Sequence, residues 1–305
     1  MKFSDLKPWF YYFPLRIACS RLPAAAIATV GSWVARLEEI SVRRKNMELL
    51  YRNIAGVLGL HPGAEQVRAV GRQVLRNYLW NILEYGLAHH LRRLHGSDYL
   101  RIDGAEELRE AVAAGKGVVI ATGHFANFEM ISTAPAWEGY DTAIIEPANT
   151  GSASMPAGPR RRIQQFREAH QRRHLKYRTM YTGVSFRHTI DFLKRGGVVI
   201  IAADYPATSG QTVSFLGQQM YAPQGPAHIV LKSGARLFFG GYERLSFGRN
   251  RLFLKPVAVP DSGDFKDDRW QLTLILVSLC EQWIRERPGQ WAWLLWVKDD
   301  LVFRS

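Results

Sequence analysis

The stretch Val118-Val119-Ile120-Ala121-Thr122-Gly123-His124-Phe125-Ala126-Asn127-Phe128-Glu129 decides how this chain is read. Small and β-branched apolar residues ahead of the glycine predict a buried parallel strand, and the residues after it predict the start of a helix. On a single helix of about 3.6 residues per turn, His124 and Glu129 would diverge. If His124 ends the strand and Glu129 lies in the first helical turn, the carboxylate reaches back to one ring nitrogen. The other nitrogen then takes a proton from a hydroxyl, with Glu129 fixing the tautomer and stabilising the imidazolium. Nine histidines and 27 acidic residues among 305 positions suffice to produce this spacing by chance. The plain alternative is a strand-end His followed by a Glu that the helix dipole favours.

Outward from this stretch, apolar strands are predicted at 118–121, 142–145, 198–202, 236–240 and 252–256, separated by helical patterns, with a last long helix over 268–285. The alternation predicts an α/β fold with a mixed, mostly parallel central sheet flanked by helices. Its sites belong at the carboxyl ends of the strands, where both His124 and Asp204 fall. Residues 41–94 repeat apolar positions at helical spacing, and His61-Pro62-Gly63 divides them into two helices. The resulting division is an N-terminal membrane-associating segment over 1–40, a helical subdomain over 41–95 and an α/β domain over 96–305.

Forty Lys and Arg against 27 acids give a net charge of +13. Such an excess suits nucleic acid, anionic lipid or an acidic carrier protein, and speaks to partners rather than fold. Nucleic acid is disfavoured, because no zinc-finger, helix-turn-helix or ribonucleoprotein motif accompanies the charge. Cys19 and Cys280 form no disulfide framework, and His124 has no second His or Cys at metal-ligand spacing. No Gly-x-Ser-x-Gly nucleophile elbow is present.

Near the start, Trp9-Phe10-Tyr11-Tyr12-Phe13 supplies interfacial aromatics, whereas Pro14, Arg16, Arg21 and Pro23 interrupt the apolar span. A helix crossing a bilayer needs about 20 apolar residues, so a monotopic anchor with snorkelling arginines is expected. A short tilted span and a buried aromatic helix are the other readings.

The stretch around His124 resembles the His-x4-Asp/Glu motif of the bacterial lipid A biosynthesis (lauroyl/myristoyl) acyltransferases, within the wider glycerolipid acyltransferases. Further similarities follow in the family's order. Arg43-Arg44 with Asn53, Ala202-Ala203-Asp204-Tyr205, Phe215-Leu216-Gly217, Ala222-Pro223-Gln224-Gly225-Pro226-Ala227 and Pro288-Gly289-Gln290-Trp291-Ala292-Trp293 resemble its other signatures. Where the family usually has Tyr-Arg-Pro-x-x-Asn, this chain has Ile145-Glu146-Pro147-Ala148-Asn149, so an anion stands in place of a cation. A Gly/Ser/Ala/Pro stretch over 150–159 then leaves two candidates for the family's functional arginine, Arg167 and Arg173.

The resemblance implies a membrane-associated enzyme at the cytoplasmic face of the cell inner membrane. It would transfer an acyl group from an acyl carrier protein or coenzyme A thioester to a glycolipid hydroxyl, with no cofactor. His124 and Glu129 would be catalytic, and Arg167, Arg173, Asp204 and Asn149 would bind substrate, Asp204 by orienting one of the arginines. An Asp after a strand is also a common turn former. The basic residues from Arg160 to Arg178 read equally as a solvated helix face or an anion site. Trp291, Trp293 and Trp296 read as core or as walls of an acyl channel. The acceptor is a lipid A-type molecule or another sugar lipid such as a phosphatidylinositol mannoside. A non-catalytic basic membrane-binding protein is the alternative from a different class.

Overall fold

The computed structural model describes residues 9–41, 44–148, 150–182 and 186–295. Arg43, Asn149 and Trp296, all singled out above, lie outside them. A π-helical turn Tyr11–Leu15 runs into the short helix Arg16–Cys19, followed by α1 (Ala24–Ser41), α2 (Arg44–Leu58) and α3 (Glu65–His95). Then come β1 (Leu100–Asp103), α4 (Ala105–Ala113), β2 (Val118–Thr122), α5 (Thr133–Trp137), β3 (Thr142–Glu146), α6 (Pro159–His170) and β4 (Arg178–Tyr181). The remainder is α7 (Phe186–Lys194), β5 (Val198–Ala202), β6 (Thr212–Phe215), β7 (Gln218–Tyr221), α8 (Gly225–Ser233), β8 (Arg236–Ser246), β9 (Arg249–Pro256) and α9 (Phe265–Glu286).

Seven strands form one sheet in the order β1-β9-β8-β2-β5-β3-β4, and every neighbouring pair is parallel except the β8–β9 hairpin. The expected α/β class with a mostly parallel sheet is therefore the observed one. Strand β2 sits at the centre with all five residues buried, which is why it is apolar on both faces. Val119 and Ala121 face a core built with α2, α7, α8 and α9, whereas Val118 and Ile120 face one built with α4 and the N-terminal helices. Helix α3, 31 residues long, supplies side chains to both cores: Val67 and Val74 to the first, Leu83 and Leu87 to the second. Each fully buried aliphatic side chain contributes about 1.5–3 kcal/mol relative to exposure.

The short strands β1, β4, β6 and β7 were not expected from the sequence. Phe215-Leu216-Gly217 turns out to be the corner of the β6–β7 hairpin, with Leu216 (φ 55) and Gly217 (φ 79) both left-handed, as a two-residue hairpin turn requires. Helix α9 is capped by the Asp264 side chain, which accepts from the N–H groups of Lys266 and Asp267.

The aromatic cluster near the start divides. Trp9 and Phe10 are exposed, whereas Tyr11 is buried and the rings of Tyr12 and Phe13 pack against Phe166 of α6. On α1, Trp33 and Leu37 are 62% and 61% exposed. Among the described residues, no helix is long and apolar enough to cross a membrane.

Candidate active site

The site begins with strand register. β2 and β5 pair in parallel with Val118 opposite Val198 and Thr122 opposite Ala202, a constant offset of 80 residues. Two residues beyond the last pair, the same offset brings His124 beside Asp204. The His124 Nδ1 lies 2.8 Å from Asp204 Oδ1, and the backbone N–H of His124 donates to Asp204 Oδ2, also at 2.8 Å. The indole Nε1–H of Trp291 donates to Oδ2 at 2.9 Å. The Asp204 side chain is fully buried, and that of His124 is 14% exposed. Gly123 makes the approach possible: a Cβ there would meet the Phe125 ring at 2.5 Å and Asp204 Oδ2 at 2.9 Å.

Burial alone would push the Asp204 carboxyl up. The His124 imidazole, the two bonds from His124 and the bond from Trp291 outweigh that and hold it below the usual carboxylate range. An ionised carboxylate only accepts, so the neutral imidazole carries its proton on Nδ1 and its basic lone pair on Nε2. The ring is enclosed by Phe128, Trp293 and Tyr205, with centroids 4.7, 5.4 and 6.4 Å away.

Two expectations are corrected here. The carboxylate on His124 Nδ1 belongs to Asp204 and not to Glu129, and Asp204 meets His124 and Trp291 rather than an arginine. Glu129 lies on a 3-10 turn, Phe128–Met130, instead of the first turn of an α-helix, and it is ion-paired with Arg167 of α6. The reason is topological: the β2–β5 register places Asp204 against Nδ1, and the turn after His124 carries Glu129 toward Arg167 instead.

Of the two candidate arginines, Arg167 is the one joined to the His124 segment. Its guanidinium also stacks 5.3 Å from the Tyr85 ring centroid, and Tyr85 Oη donates to the Arg167 carbonyl at 3.1 Å. Burial pushes the Tyr85 hydroxyl up to about 12, against the pull of the Arg167 charge. Arg173 sits exposed on the π-helical extension Gln171–Leu175, and Arg160, Arg162, Arg172 and Lys176 are exposed as well.

Glu146 ends β3, partly buried, and accepts from Thr150 Oγ1 at 3.0 Å. Burial pushes its carboxyl up, and the nearby Glu168 adds to this, while Thr150 and the His124 imidazole act in the opposite sense. Glu168 in turn accepts from the backbone N–H and the hydroxyl of Ser152, both at 2.7 Å, tying the 150–159 stretch to α6.

Trp291 and Trp293, read from the sequence as core or channel walls, bond Asp204 and flank His124 respectively, and Phe128 and Tyr205 were missed as neighbours of the His124 ring. A signal for the His124–Asp204 pairing was present: Gly117-Val118-Val119-Ile120 recurs as Gly197-Val198-Val199-Ile200, seven residues ahead of His124 and Asp204 alike.

The family described as bacterial lipid A biosynthesis acyltransferase matches residues 2–296. The chain belongs to this family. It is accordingly an acyltransferase. Phosphatidylinositol mannoside acyltransferases from two strains of Mycobacterium tuberculosis, CDC 1551 / Oshkosh and ATCC 25618 / H37Rv, are similar to it. Each is 26% identical over 232 residues, covering 72% of this chain and 68% of the relative. Family and relatives together support a glycolipid acyltransferase.

Proposed function

We propose that this acyltransferase moves a fatty acyl group from an acyl carrier protein or coenzyme A thioester to a sugar hydroxyl of a glycolipid, with His124 as general base and Asp204 as its orienting carboxylate. The observation that carries the reading is the buried carboxylate on His124 Nδ1, which directs the basic lone pair of Nε2 to a hydroxyl. The hydroxyl proton passes to Nε2 as oxygen attacks the thioester carbonyl, and Asp204 stabilises the imidazolium. The tetrahedral oxyanion, held by a cationic side chain or backbone donors, collapses with cleavage of the C–S bond. The leaving thiolate, with an ordinary thiol pKa of about 8.5, takes the proton from the imidazolium. No covalent acyl-enzyme is needed.

Glu129 acts by holding Arg167, whose fork binds an anionic group of donor or acceptor. Glu146 accepts hydrogen bonds from sugar hydroxyls. It favours a phosphatidylinositol mannoside or similar sugar lipid as acceptor, in agreement with the names of the relatives, while the family's description favours a lipid A-type acceptor. The exposed Trp9, Phe10, Ile17, Trp33 and Leu37 and the excess positive charge fit attachment to the cytoplasmic face of the inner membrane without a span. An assembled His–Asp pair favours this reading over a non-catalytic membrane-binding scaffold.

The test is transfer from an acyl thioester by the purified protein, with lipid A precursors and phosphatidylinositol mannosides offered in parallel and products read by mass spectrometry. His124→Ala is expected to abolish transfer while the protein still folds. Near-normal turnover by His124→Ala overturns the mechanism.

A further inference from the structure

Behind the turn that carries His124 lies a buried ionic cluster with no contact to the reacting atoms. The side chains of Arg244 of β8 and Glu84 of α3 are 1% and 0% exposed, and the guanidinium meets both carboxylate oxygens, at 3.2 and 2.6 Å. The remaining guanidinium bonds go to α3: Nη1 to the side-chain Oδ1 of Asn77 at 3.2 Å and to its backbone carbonyl at 3.3 Å, and Nη2 to the side-chain Oδ1 of Asn81 at 2.6 Å. Glu84 Oε1 also accepts from the Gly248 N–H at 3.0 Å, which fixes the β8–β9 corner.

The two amides pass this order outward in different directions. Asn81 Nδ2 donates to the carbonyl of Ala126, two residues after His124, at 2.8 Å. Asn77 Nδ2 donates to the carbonyl of Gly289, two residues before Trp291, at 2.8 Å. Between the two arms, Gln290 takes the Arg244 N–H on its Oε1 at 2.7 Å and donates Nε2 to the Arg244 carbonyl at 3.2 Å. The Gln290 carbonyl accepts from the Ala126 N–H, and the Ala292 N–H donates to the His124 carbonyl at 2.9 Å. Ala126 has φ 45, a left-handed conformation that costs energy for a residue with a Cβ and persists only where its surroundings enforce it.

An arginine has donors and no acceptor. Each amide that meets Arg244 must therefore present its oxygen to it and its NH2 to the far side, where the Ala126 and Gly289 carbonyls lie. Glu84 supplies the counter-charge without which a buried guanidinium is untenable. We propose that Arg244, through the fixed amides of Asn81 and Asn77, is the positioning residue for the His124–Asp204 pair. One arm sets the turn that aims His124, and the other sets the segment whose Trp291 indole holds Asp204. The assignment rests on the His124–Asp204 mechanism above, and it adds Arg244, Glu84, Asn77 and Asn81, which belong to none of the motifs quoted from the sequence.

The test uses full-length protein and Asn81→Leu, a substitution of similar size that cuts the first arm and leaves Arg244 with Glu84 and Asn77. A displacement of the base by a fraction of an ångström to 1 Å lowers kcat by about 10- to 100-fold. The expectation is a loss of that size with KM within about twofold of wild type, at a temperature where both proteins are folded. The Nδ1 proton resonance of His124 should shift as well, and Asn81→Gln, which again offers both an oxygen and an NH2, should restore part of kcat. A structural role alone would lower the melting temperature and leave kcat of the folded protein and the His124 resonance unchanged, and that result overturns the proposal. If Asn81→Leu does not fold, Asn77→Leu puts the same question to the second arm. His124→Ala is measured alongside: if it stays active, the general-base mechanism fails, whereas an inactive His124→Ala with a wild-type Asn81→Leu sinks only the positioning role.

Discussion

Asp204 grips His124 twice, with one carboxylate oxygen on the ring nitrogen Nδ1 and the other on the backbone N–H of the same residue. A single side chain thus fixes both the tautomer of the imidazole and the place of its backbone. Asp204→Asn can present an NH2 to Nδ1 and so favour the wrong tautomer. On the proposed mechanism, the loss in kcat should approach about 10⁴-fold, the cost of removing the orienting carboxylate from a His-centred site. Steady-state assay with a thioester donor checks it, and a loss below tenfold would remove Asp204 from the mechanism.

Arg167→Ala should lower kcat/KM by about 10- to 150-fold, the worth of a charge-assisted hydrogen bond. Arg167→Lys should recover only part, because an ammonium lacks the planar fork. Arg173→Ala, on an exposed turn, should stay within about twofold of wild type. Equal effects at the two positions would assign the cluster to a solvated face.

Glu146→Ala tests acceptor recognition. The KM for the glycolipid should rise by about tenfold, while that for the thioester holds. A change confined to the thioester would move Glu146 to the donor side.

His170 predicts a pH dependence of stability. It is buried among Tyr85, Phe166 and His174, with His89 and Arg16 nearby. Burial first, and then the neighbouring His174, lower its pKa from 6.5 to about 4. Between those values the unfolded chain binds a proton that the folded one refuses. The stability from neutral His170 is therefore complete above pH 6.5 and is lost as pH falls toward 4, by about 3 kcal/mol in all. Urea midpoints measured across this range should fall for wild type and flatten for His170→Phe. Identical slopes would show that other groups govern the acid limb.

Membrane attachment is checked by vesicle sedimentation. Exchanging the exposed Trp33 and Leu37 for Ser should weaken binding to anionic vesicles by on the order of tenfold. An unchanged bound fraction would place the attachment surface elsewhere.

The chain announced its strands more clearly than its contacts. Apolar runs before Gly123 and Ala203 mark β2 and β5 because both strands are buried on two faces, and 3.6-residue periodicity with His61-Pro62-Gly63 marks α2 and α3. The partner of His124 was not read, because sequence spacing reports local geometry whereas Asp204 arrives through sheet register 80 residues away. Arg244 and Glu84 stayed hidden for the same reason: α3 and β8 each carry several charged residues, and only the tertiary pairing shows which two are buried against each other. The early aromatics looked alike in sequence, yet Trp9 and Phe10 face outward while Tyr11 is buried in the fold.

The common offset of β2 and β5 also has a bearing on how such enzymes diversify. Between His124 and Asp204 the chain passes through α5, β3, α6, β4, α7 and β5, and Glu146, the 150–159 stretch and Arg167 all lie within this segment. Because the pair is set by register between two central strands, the loops of this segment can change length without separating His124 from Asp204. On the proposed function, reaction chemistry and acceptor choice would then be carried on separable parts of the chain, so that acceptor loops could be exchanged while the His124–Asp204 pair stays in place.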